Sequence, residues 1–284
     1  MSTQLIDLLR CPRCRLPLQR QDGALACENK HIFRCDGPYI VFAHDSEQSK
    51  YNQAYANRYA FLWAYGYETS HSGLVESLYR SVGALVADAL AEMRKGDPII
   101  IDCGCGTGRS IADAAMLAPS GQFLGVDLSS AKLELAAKIL RGTKPVEAIL
   151  PDYGFGDPLS ISGRGLSNVI LVQADALQLP FQDSRADLLL SVNLLDRVED
   201  PTLALREARR VLRSGGALIL TTPLNWTKAS QWNMYPDAKA LISVVENCGF
   251  SVKTWFDQLL YREILDARGS VEEFATLVIS GRAS

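Results

Sequence analysis

The stretch Ile-Ile-Ile-Asp-Cys-Gly-Cys-Gly-Thr-Gly-Arg, residues 99–109, decides the fold of this chain. Its three isoleucines predict a buried β-strand, because β-branched side chains pack well on a sheet that is covered on both faces. Asp102 follows at the carboxyl end, and the glycines after it let a ligand approach the backbone closely. Residues 110–117 predict a helix whose first N–H groups favour polar or anionic ligand atoms. Strand, turn and helix together predict a nucleotide-type pocket at the carboxyl edge of a parallel sheet.

Composition predicts one large domain with a small one beside it. The chain has 284 residues, 48% of them hydrophobic, and a formal net charge of −3, which gives no global attraction to nucleic acid or to an anionic membrane. No apolar run approaches the roughly 18 residues that cross a bilayer. The first ten residues lack the order of a secretory signal. Seven cysteines, two of them in the glycine turn, argue against a disulfide scaffold and predict a cytoplasmic protein.

The first 44 residues carry a metal-binding spacing. Two thiols at i and i+3 can bind one metal from a single turn, and a second turn can complete a tetrahedral zinc site. The predicted ligands of this structural zinc are Cys11, Cys14, Cys27 and His31. Cys35 is the rival fourth ligand, and buried thiols in a β-hairpin are the alternative without metal. Such a short segment buries little core, so a metal has an obvious stabilising role.

This C-x2-C-x12-C-x3-H spacing resembles the N-terminal zinc site of bacterial 23S ribosomal RNA guanine-N1 methyltransferases. Asp36–Phe42 also resembles the small zinc-ribbon activators of RNA and protein methyltransferases. The resemblance covers about residues 5–42 and favours His31 over Cys35. Basic residues outnumber acidic ones there by six to four, which is typical of an RNA-docking surface or simply of a solvated face.

Residues 45–72 are predicted to form a linker and a lid helix. Tyr51, Tyr55 and Tyr59 recur at i+4 and so share one side of a helix. They either pack the ribbon onto the main domain or cover a bound cofactor. Residues 142–167 form an insertion rich in proline and glycine, and its apolar content favours an ordered flap over a disordered loop.

Acidic residues follow two further predicted strands. Asp127 ends strand 122–127, where its carboxylate can accept both ribose hydroxyls of a nucleoside. Asp175 follows strand 168–173, where it can accept from an adenine amino group. Strand 186–192 is central, and helix 202–213 is predicted to stop at a left-handed cap formed by Gly215-Gly216. Residues 251–256 and 274–280 predict a final antiparallel pair.

The glycine turn and the acidic residues after the strands resemble the class I S-adenosylmethionine (SAM)-dependent methyltransferases over about residues 98–284. The same resemblance includes Leu179-Pro180-Phe181 and Val211-Leu212-Arg213-x-Gly-Gly. The resemblance implies an α/β, Rossmann-like, doubly wound sheet of seven strands with the last strand antiparallel, over domain 73–284. It implies cofactor contacts at Asp102, Gly104, Gly106, Gly108, Asp127, Leu128, Asp175, Ala176 and Asn193. The alternative for Asp102 is that it only orients the turn.

The predicted acceptor side lies after the fourth strand. Asn193–Arg197 and Thr222–Trp226 resemble the methyltransferase domain that N-methylates mercaptohistidine, which implies a small amino-acid-like acceptor methylated on nitrogen or oxygen. Asp196 and Asn193 are the candidate catalytic residues, with Asp196 accepting a proton or orienting an acceptor N–H. The alternative is that Asp196 only pairs with Arg197. Two other functions stay open: methylation of an RNA base, with the ribbon docking RNA, and a zinc-bearing regulatory protein without chemistry.

Overall fold

The computed structural model describes residues 6–43, 52–67, 76–93 and 96–284. Its strands are β1 (Gln19–Gln21), β2 (Ala24–Ala26), β3 (Ile32–Arg34), β4 (Ile40–Val41), β5 (Ile99–Cys103), β6 (Gln122–Asp127), β7 (Val146–Ala148), β8 (Leu159–Ile161), β9 (Val169–Gln173), β10 (Ala186–Val192), β11 (Leu212–Thr222), β12 (Phe250–Ile264) and β13 (Val271–Ala283). Its helices are α1 (Asn52–Phe61), α2 (Glu76–Ala91), α3 (Arg109–Leu117), α4 (Ser130–Arg141), α5 (Pro201–Val211), α6 (Ala229–Met234) and α7 (Ala238–Asn247).

One sheet organises the molecule, and it is wider than predicted. Its order is β1-β2-β3-β4-β9-β6-β5-β10-β11-β13-β12, which makes eleven strands among the described residues where the family resemblance implied seven. The last seven in this order form the expected core, in which β13 runs antiparallel to β11. The other four come from the ribbon, because β4 pairs in parallel with β9 through Ile40 and Val41. This pairing covers backbone groups that β9 would otherwise expose at an edge.

Both faces of the sheet are covered, as a doubly wound fold requires. On one face the buried core includes apolar residues of α5, α7 and the ribbon, with Leu9, Leu25 and Phe33 packed in the same cluster as β9. On the other face it includes residues of α1 to α4 and of the 142–167 insertion. The ribbon therefore shares the hydrophobic core of the main sheet.

The β12–β13 hairpin extends past the edge at which the parallel strands end. β11 ends at Thr222, which pairs with Leu277, whereas β13 begins at Val271 and β12 continues to Ile264. This extension is longer than the pair predicted from sequence. The insertion is ordered, with β7 and β8 paired antiparallel and a 3₁₀ turn at Pro151–Tyr153.

The prediction that helix 202–213 ends at a Gly215-Gly216 cap is wrong. α5 begins after Asp200, whose side chain accepts from the Leu203 N–H, and it ends at Val211. Both glycines lie inside β11, where the register with β10 shifts and Gly215 takes a positive φ. A strand bulge and a helix cap both use a glycine with positive φ, so the local sequence could not distinguish the two structures. In the described part of the chain, no helix is long and apolar enough to cross a bilayer.

Candidate active site

The glycine turn lies where β5 ends and α3 begins. Gly104, Gly106 and Gly108 all have positive φ. A Cβ on Gly108 would lie 2.6 Å from Leu140 Cδ1, so this glycine lets α4 pack closely. A Cβ on Gly106 would meet no described atom within 4 Å, so the space beside this residue is open to a ligand. A Cβ on Gly104 would lie 2.9 Å from Leu194 Cδ1, so the turn has two glycines required by packing and one that faces open space.

Asp127 holds the turn to the end of β6. Its Oδ2 accepts from the Gly106 N–H at 2.9 Å, and its Oδ1 accepts from the Ser129 N–H at 2.8 Å. The side chain is only partly buried. Because a carboxylate offers about four acceptor positions, the two backbone bonds leave capacity for two further donors, such as ribose hydroxyls.

Asp102 is buried at the carboxyl end of β5. Its Oδ2 accepts no hydrogen bond from any described residue. Burial, together with the nearby charge of Asp127, raises the pKa of Asp102 to about 8. A buried carboxyl oxygen without a donor is costly, and a cationic or N–H-bearing ligand beside the turn would relieve that cost.

The loop after β9 lies beside these residues. Asp175 is exposed and its Oδ1 accepts from the Leu177 N–H at 2.9 Å, whereas Ala176 is buried. Leu128 is exposed, and its carbonyl accepts from Gln173 Nε2 at 3.0 Å. The carboxyl edge thus brings the predicted cofactor residues from β5, β6 and β9 to adjacent positions, because Asp102 pairs with Gly125 and Asp127 with Gln173.

Asn193 follows β10 in a left-handed conformation, with φ of 52°. Its N–H donates to the carbonyl of Thr221, and its Oδ1 accepts from the Thr221 hydroxyl at 2.9 Å. No described residue accepts from its amide nitrogen. Thr221 therefore fixes the orientation of an amide that lies at the carboxyl edge with a donor to spare.

Asp196 lies below the surface of the same loop. Its side chain is fully buried, and Oδ1 accepts from the Thr222 hydroxyl at 3.3 Å. Arg197 Nε lies 3.3 Å from Oδ2 but without the geometry of a hydrogen bond. Burial raises the pKa of Asp196, while Arg197 acts to lower it. In this conformation Asp196 contacts the loop and Thr222, and an acceptor could not touch it.

A group of segments, called the roof, meets at the tip of the β12–β13 hairpin, which extends past the carboxyl edge. It consists of α1, the π-helical segment Leu62–Tyr67, the insertion and the hairpin tip. Arg58 of α1 pairs with Glu263 at 3.2 Å. The rings of Phe61 and Tyr153 stack with centroids 4.7 Å apart, and Ala267 N–H donates to the Tyr153 carbonyl at 2.9 Å. Three segments that are distant in sequence are thus joined next to the carboxyl edge.

Tyr59 connects this roof to the cofactor residues. Lys132 Nζ lies 4.7 Å from the centre of its ring. Burial raises the pKa of Tyr59, and the charges that act on it include those of Asp127 and Arg197. The side chain therefore lies against the first turn of α4, the helix that follows the predicted ribose residue Asp127. Tyr51 lies outside the described residues, as does the side chain of Tyr55.

The ribbon brings the four predicted ligands together. Their ligand atoms, from Cys11, Cys14, Cys27 and His31, all lie within 4.8 Å of one another. Cys14 Sγ lies 3.6 Å from Cys27 Sγ, and His31 Nδ1 lies 3.3–3.6 Å from the three sulfurs. Tetrahedral zinc, with Zn–S of about 2.3 Å and Zn–N of about 2.0 Å, separates its ligand atoms by about 3.5–3.8 Å. The cluster therefore has the dimensions of a zinc site.

The thiol chemistry of this cluster also suits a cation. A hydrogen bond from the Leu16 N–H lowers the pKa of Cys14 to about 6, whereas burial raises that of Cys11 to about 11. Three adjacent thiols ionise together only when a metal compensates their charge. Cys35 lies elsewhere, since its Sγ donates to the carbonyl of Gly23.

One long-range contact between the ribbon and the main domain had no signal in the sequence. Arg15, counted there among the basic residues of the ribbon, donates to both oxygens of Glu207 at 3.1 Å. Glu207 belongs to α5 and is buried. The two residues are separated by 192 positions, and no local pattern pairs them.

Comparison with known proteins supports the methyltransferase reading. A family model described as a methyltransferase domain matches residues 101–220. An uncharacterised 37.1 kDa protein of a Streptomyces fradiae transposon is 32% identical over 145 residues, covering 51% of this chain and 35% of that protein. A Micromonospora griseorubida protein, proposed to be a 23S rRNA (guanine-N1) methyltransferase, is 27% identical over 232 residues, covering 78% of this chain and 68% of that protein.

This chain spans about a third to two thirds of the length of these relatives. Among solved structures, the 4+2 cyclase SpnF superposes with a TM-score of 0.56 at 18% identity, covering 85% of this chain and 97% of that one. This likeness concerns the fold alone, since one fold can serve different chemistries. Together with the sheet topology, this likeness shows a Rossmann-like methyltransferase fold with a mixed sheet, and residues 101–220 match the model of a methyltransferase domain.

Proposed function

We propose that the protein transfers a methyl group from SAM to a small amino-acid-like acceptor. The glycine turn, Asp127, Asp175 and Ala176 would hold the nucleoside at the carboxyl edge. The unpartnered Oδ2 of Asp102 and the open space beside Gly106 fit a ligand that carries an ammonium group. When bound, SAM supplies an electrophilic methyl group on a sulfonium.

The residues of the chain mainly align the reactants, because in-line displacement depends on orientation more than on proton transfer. Asn193, held by Thr221, presents its amide at the edge where the acceptor would bind. Asp196 acts as a positioning residue, since it is buried against Thr222 and Arg197. A neutral amine or imidazole acceptor then needs no base that touches it.

The roof is the observation that favours a small acceptor. Phe61, Tyr65, Tyr153 and Phe155 form one aromatic cluster, in which Tyr65 and Phe155 lie 5.0 Å apart. Arg58 and Tyr65 also bond to the hairpin tip, at Ile264 and Ala267. Three joined segments next to the carboxyl edge would enclose a small molecule more readily than a structured RNA.

The second candidate function is methylation of an RNA base. The match to the Micromonospora griseorubida protein favours it, because that match covers 78% of this chain. Arg13, Arg20 and Arg34 of the ribbon are exposed, so they are available to phosphates. Arg15 is not available, because its guanidinium is bonded to Glu207 and to the carbonyl of Leu179.

We further propose that the ribbon binds one structural zinc through Cys11, Cys14, Cys27 and His31. The separations of the four ligand atoms support this assignment. The position of Cys35, bonded to Gly23, supports His31 as the fourth ligand.

Titration calorimetry with S-adenosylhomocysteine tests the cofactor. We expect binding that Asp127→Ala weakens by about 1–3 kcal/mol, because the change removes acceptors for the ribose and for the Gly106 N–H. Asp157→Ala, which alters an exposed acid of the insertion, is the control and should bind like the wild type. Binding of NADH without any S-adenosylhomocysteine signal would contradict the proposal.

The salt dependence of methyl transfer separates the two acceptor classes. For a small acceptor, KM should change little between low and moderate salt, and Arg13→Ala/Arg20→Ala/Arg34→Ala should leave it unaltered. For RNA, affinity should fall steeply with salt, and each lost phosphate contact should flatten the log–log slope by roughly one unit. Screening labelled methyl transfer to metabolite and RNA pools identifies the acceptor for this measurement. A steep slope that disappears in the triple variant would overturn the small-acceptor proposal.

A further inference from the structure

We propose that Arg15 is a positioning residue that couples the metal site of the ribbon to the adenine loop, residues 175–181. In this view the ribbon controls cofactor affinity through one turn of its metal site. The inference rests on the proposed SAM binding. It gives the ribbon a role in forming the cofactor site, separate from any role in docking an acceptor.

The contacts of Arg15 begin within the metal site. Arg15 directly follows the ligand Cys14, and its N–H donates to the carbonyl of the ligand Cys11 at 2.8 Å. The Cys11 N–H in turn donates to the Leu16 carbonyl at 3.0 Å. Arg15 has a φ of 63°, a left-handed conformation that is unfavourable for a residue with a Cβ. Closure of this turn around a metal would stabilise that conformation and so fix where the side chain points.

The guanidinium of Arg15 reaches the adenine loop directly. Its Nη1 donates to the carbonyl of Leu179 at 2.7 Å. Its Nη2 lies 3.1 Å from both carboxylate oxygens of Glu207. Glu207 Oε2 accepts from the Leu179 N–H at 2.8 Å, so the backbone of Leu179 is held on both sides.

Arg210 closes the other half of this network. Its Nη2 donates to the Leu179 carbonyl at 2.9 Å and to Glu207 at 2.8 Å, and its Nη1 donates to the Phe181 carbonyl at 2.8 Å. Arg210 and Glu207 belong to the same helix, α5, so they form a fixed platform. Arg15 is the part of the network that comes from the ribbon, and thus the part that depends on the metal site.

A second contact from the same turn supports the coupling. Gln178 Nε2 donates to the carbonyl of Pro12, between the first two ligands, at 2.7 Å. The end of the loop is also paired with the ribbon, because Leu9 forms an antiparallel bridge with Phe181. Asp175 and Ala176 are therefore a few residues from a backbone that is fixed by the metal site.

Coupling between two binding sites is reciprocal. If an ordered metal site raises cofactor affinity, then bound cofactor must raise metal affinity by the same factor. Both directions should depend on Arg15 and be insensitive to Arg13, whose exposed side chain forms no ion pair with any described residue.

Zinc-loaded wild type, Arg15→Ala and Arg13→Ala test the proposal, with S-adenosylhomocysteine as the ligand. We expect Arg15→Ala to retain its zinc and to bind the ligand about tenfold more weakly, while Arg13→Ala stays within about twofold of the wild type. Arg15→Lys, which keeps the charge but not the planar fork, should recover part of the affinity. Hydrogen exchange of the amides of residues 175–181 should be faster in Arg15→Ala even though zinc is present.

The reciprocal measurement is the zinc affinity, determined by chelator competition with and without saturating S-adenosylhomocysteine. The ligand should raise zinc affinity about tenfold in the wild type and by less than about twofold in Arg15→Ala. If Arg15→Ala does not fold, Gln178→Ala, which removes only the bond to Pro12, should still weaken ligand binding several-fold.

Equal S-adenosylhomocysteine affinity in Arg15→Ala and Arg13→Ala, or a zinc affinity that the ligand does not change, would overturn the coupling while leaving the proposed methyltransferase intact. A wild-type protein that binds no S-adenosylhomocysteine would instead refute the proposed function itself.

Discussion

We expect that replacing Glu207 by glutamine lowers the free energy of unfolding by about 3 kcal/mol, because it removes the buried counter-charge that Arg15 and Arg210 share and leaves Arg210 only its exposed partner Asp183. The carboxylate is nearly inaccessible to water, with 9% of its side chain exposed, so solvent does not replace it. For a chain of this size the expected fall in melting temperature is about 6–12 °C. Differential scanning calorimetry at neutral pH measures it.

Glu199→Gln is the matched control. Glu199 pairs with Lys228 at the surface, where such pairs contribute at most about 1 kcal/mol. The melting temperature should therefore change by only a few degrees. Equal losses in the two variants would show that the network of Glu207 has no special stabilising role.

The contribution of Glu207 to the free energy of unfolding should also depend on pH. Burial acts to raise the pKa of Glu207, but hydrogen bonds and charge from Arg210 and Arg15 outweigh it and hold the pKa below 4.5. Because the folded-state pKa is depressed, the stabilisation is complete above about pH 4.5 and is lost as the pH falls through the folded value. The difference in stability between wild type and Glu207→Gln should thus narrow below pH 4.5.

We expect that Cys14→Ser abolishes the proposed zinc binding and destabilises the ribbon by about 4 kcal/mol or more, because a structural metal contributes its binding energy to folding. Metal analysis of the purified protein should give about one zinc per wild-type chain and almost none for the variant. Since the ribbon shares its core with β9, we expect the loss to lower the melting temperature of the whole chain.

Cys35→Ser and His31→Ala decide the fourth ligand. Cys35 Sγ only bonds to the Gly23 carbonyl, so Cys35→Ser should retain zinc and nearly all of its stability. His31→Ala should lose zinc, since Nδ1 lies against all three sulfurs. Loss of zinc in Cys35→Ser together with retention of zinc in His31→Ala would show that the ligand assignment is wrong.

The predicted site residues are those whose positions follow from local rules. Gly104, Gly106 and Gly108 have the positive φ that a sharp turn between strand and helix requires. Asp127 and Asp175 reach one edge because parallel strands place their carboxyl ends side by side. For the ribbon, the spacing of the cysteines and His31 already predicted the cluster that the structure shows.

For Asp196 the local sequence predicts the position in the chain but not the orientation of the side chain. The sequence places it in the loop after β10, and that loop position is observed. Its burial beneath the loop depends on Thr222, which comes from the next strand of the sheet. Whether a loop carboxylate faces an acceptor or the interior depends on the neighbouring strand, so the residues around Asp196 could not determine it.

The sequence by itself determined the strand, glycine turn and helix around Asp102, the places of the neighbouring core strands along the chain, and the spacing of the three cysteines and His31. Each of these depends on residues a few positions apart or on a repeating βα pattern. Only the tertiary structure decided that β4 extends the main sheet, that Arg15 meets Glu207, and that Arg58 joins the roof to Glu263. These contacts join residues far apart in the chain. They form because folding buries polar groups, and buried polar groups must then hydrogen-bond with each other.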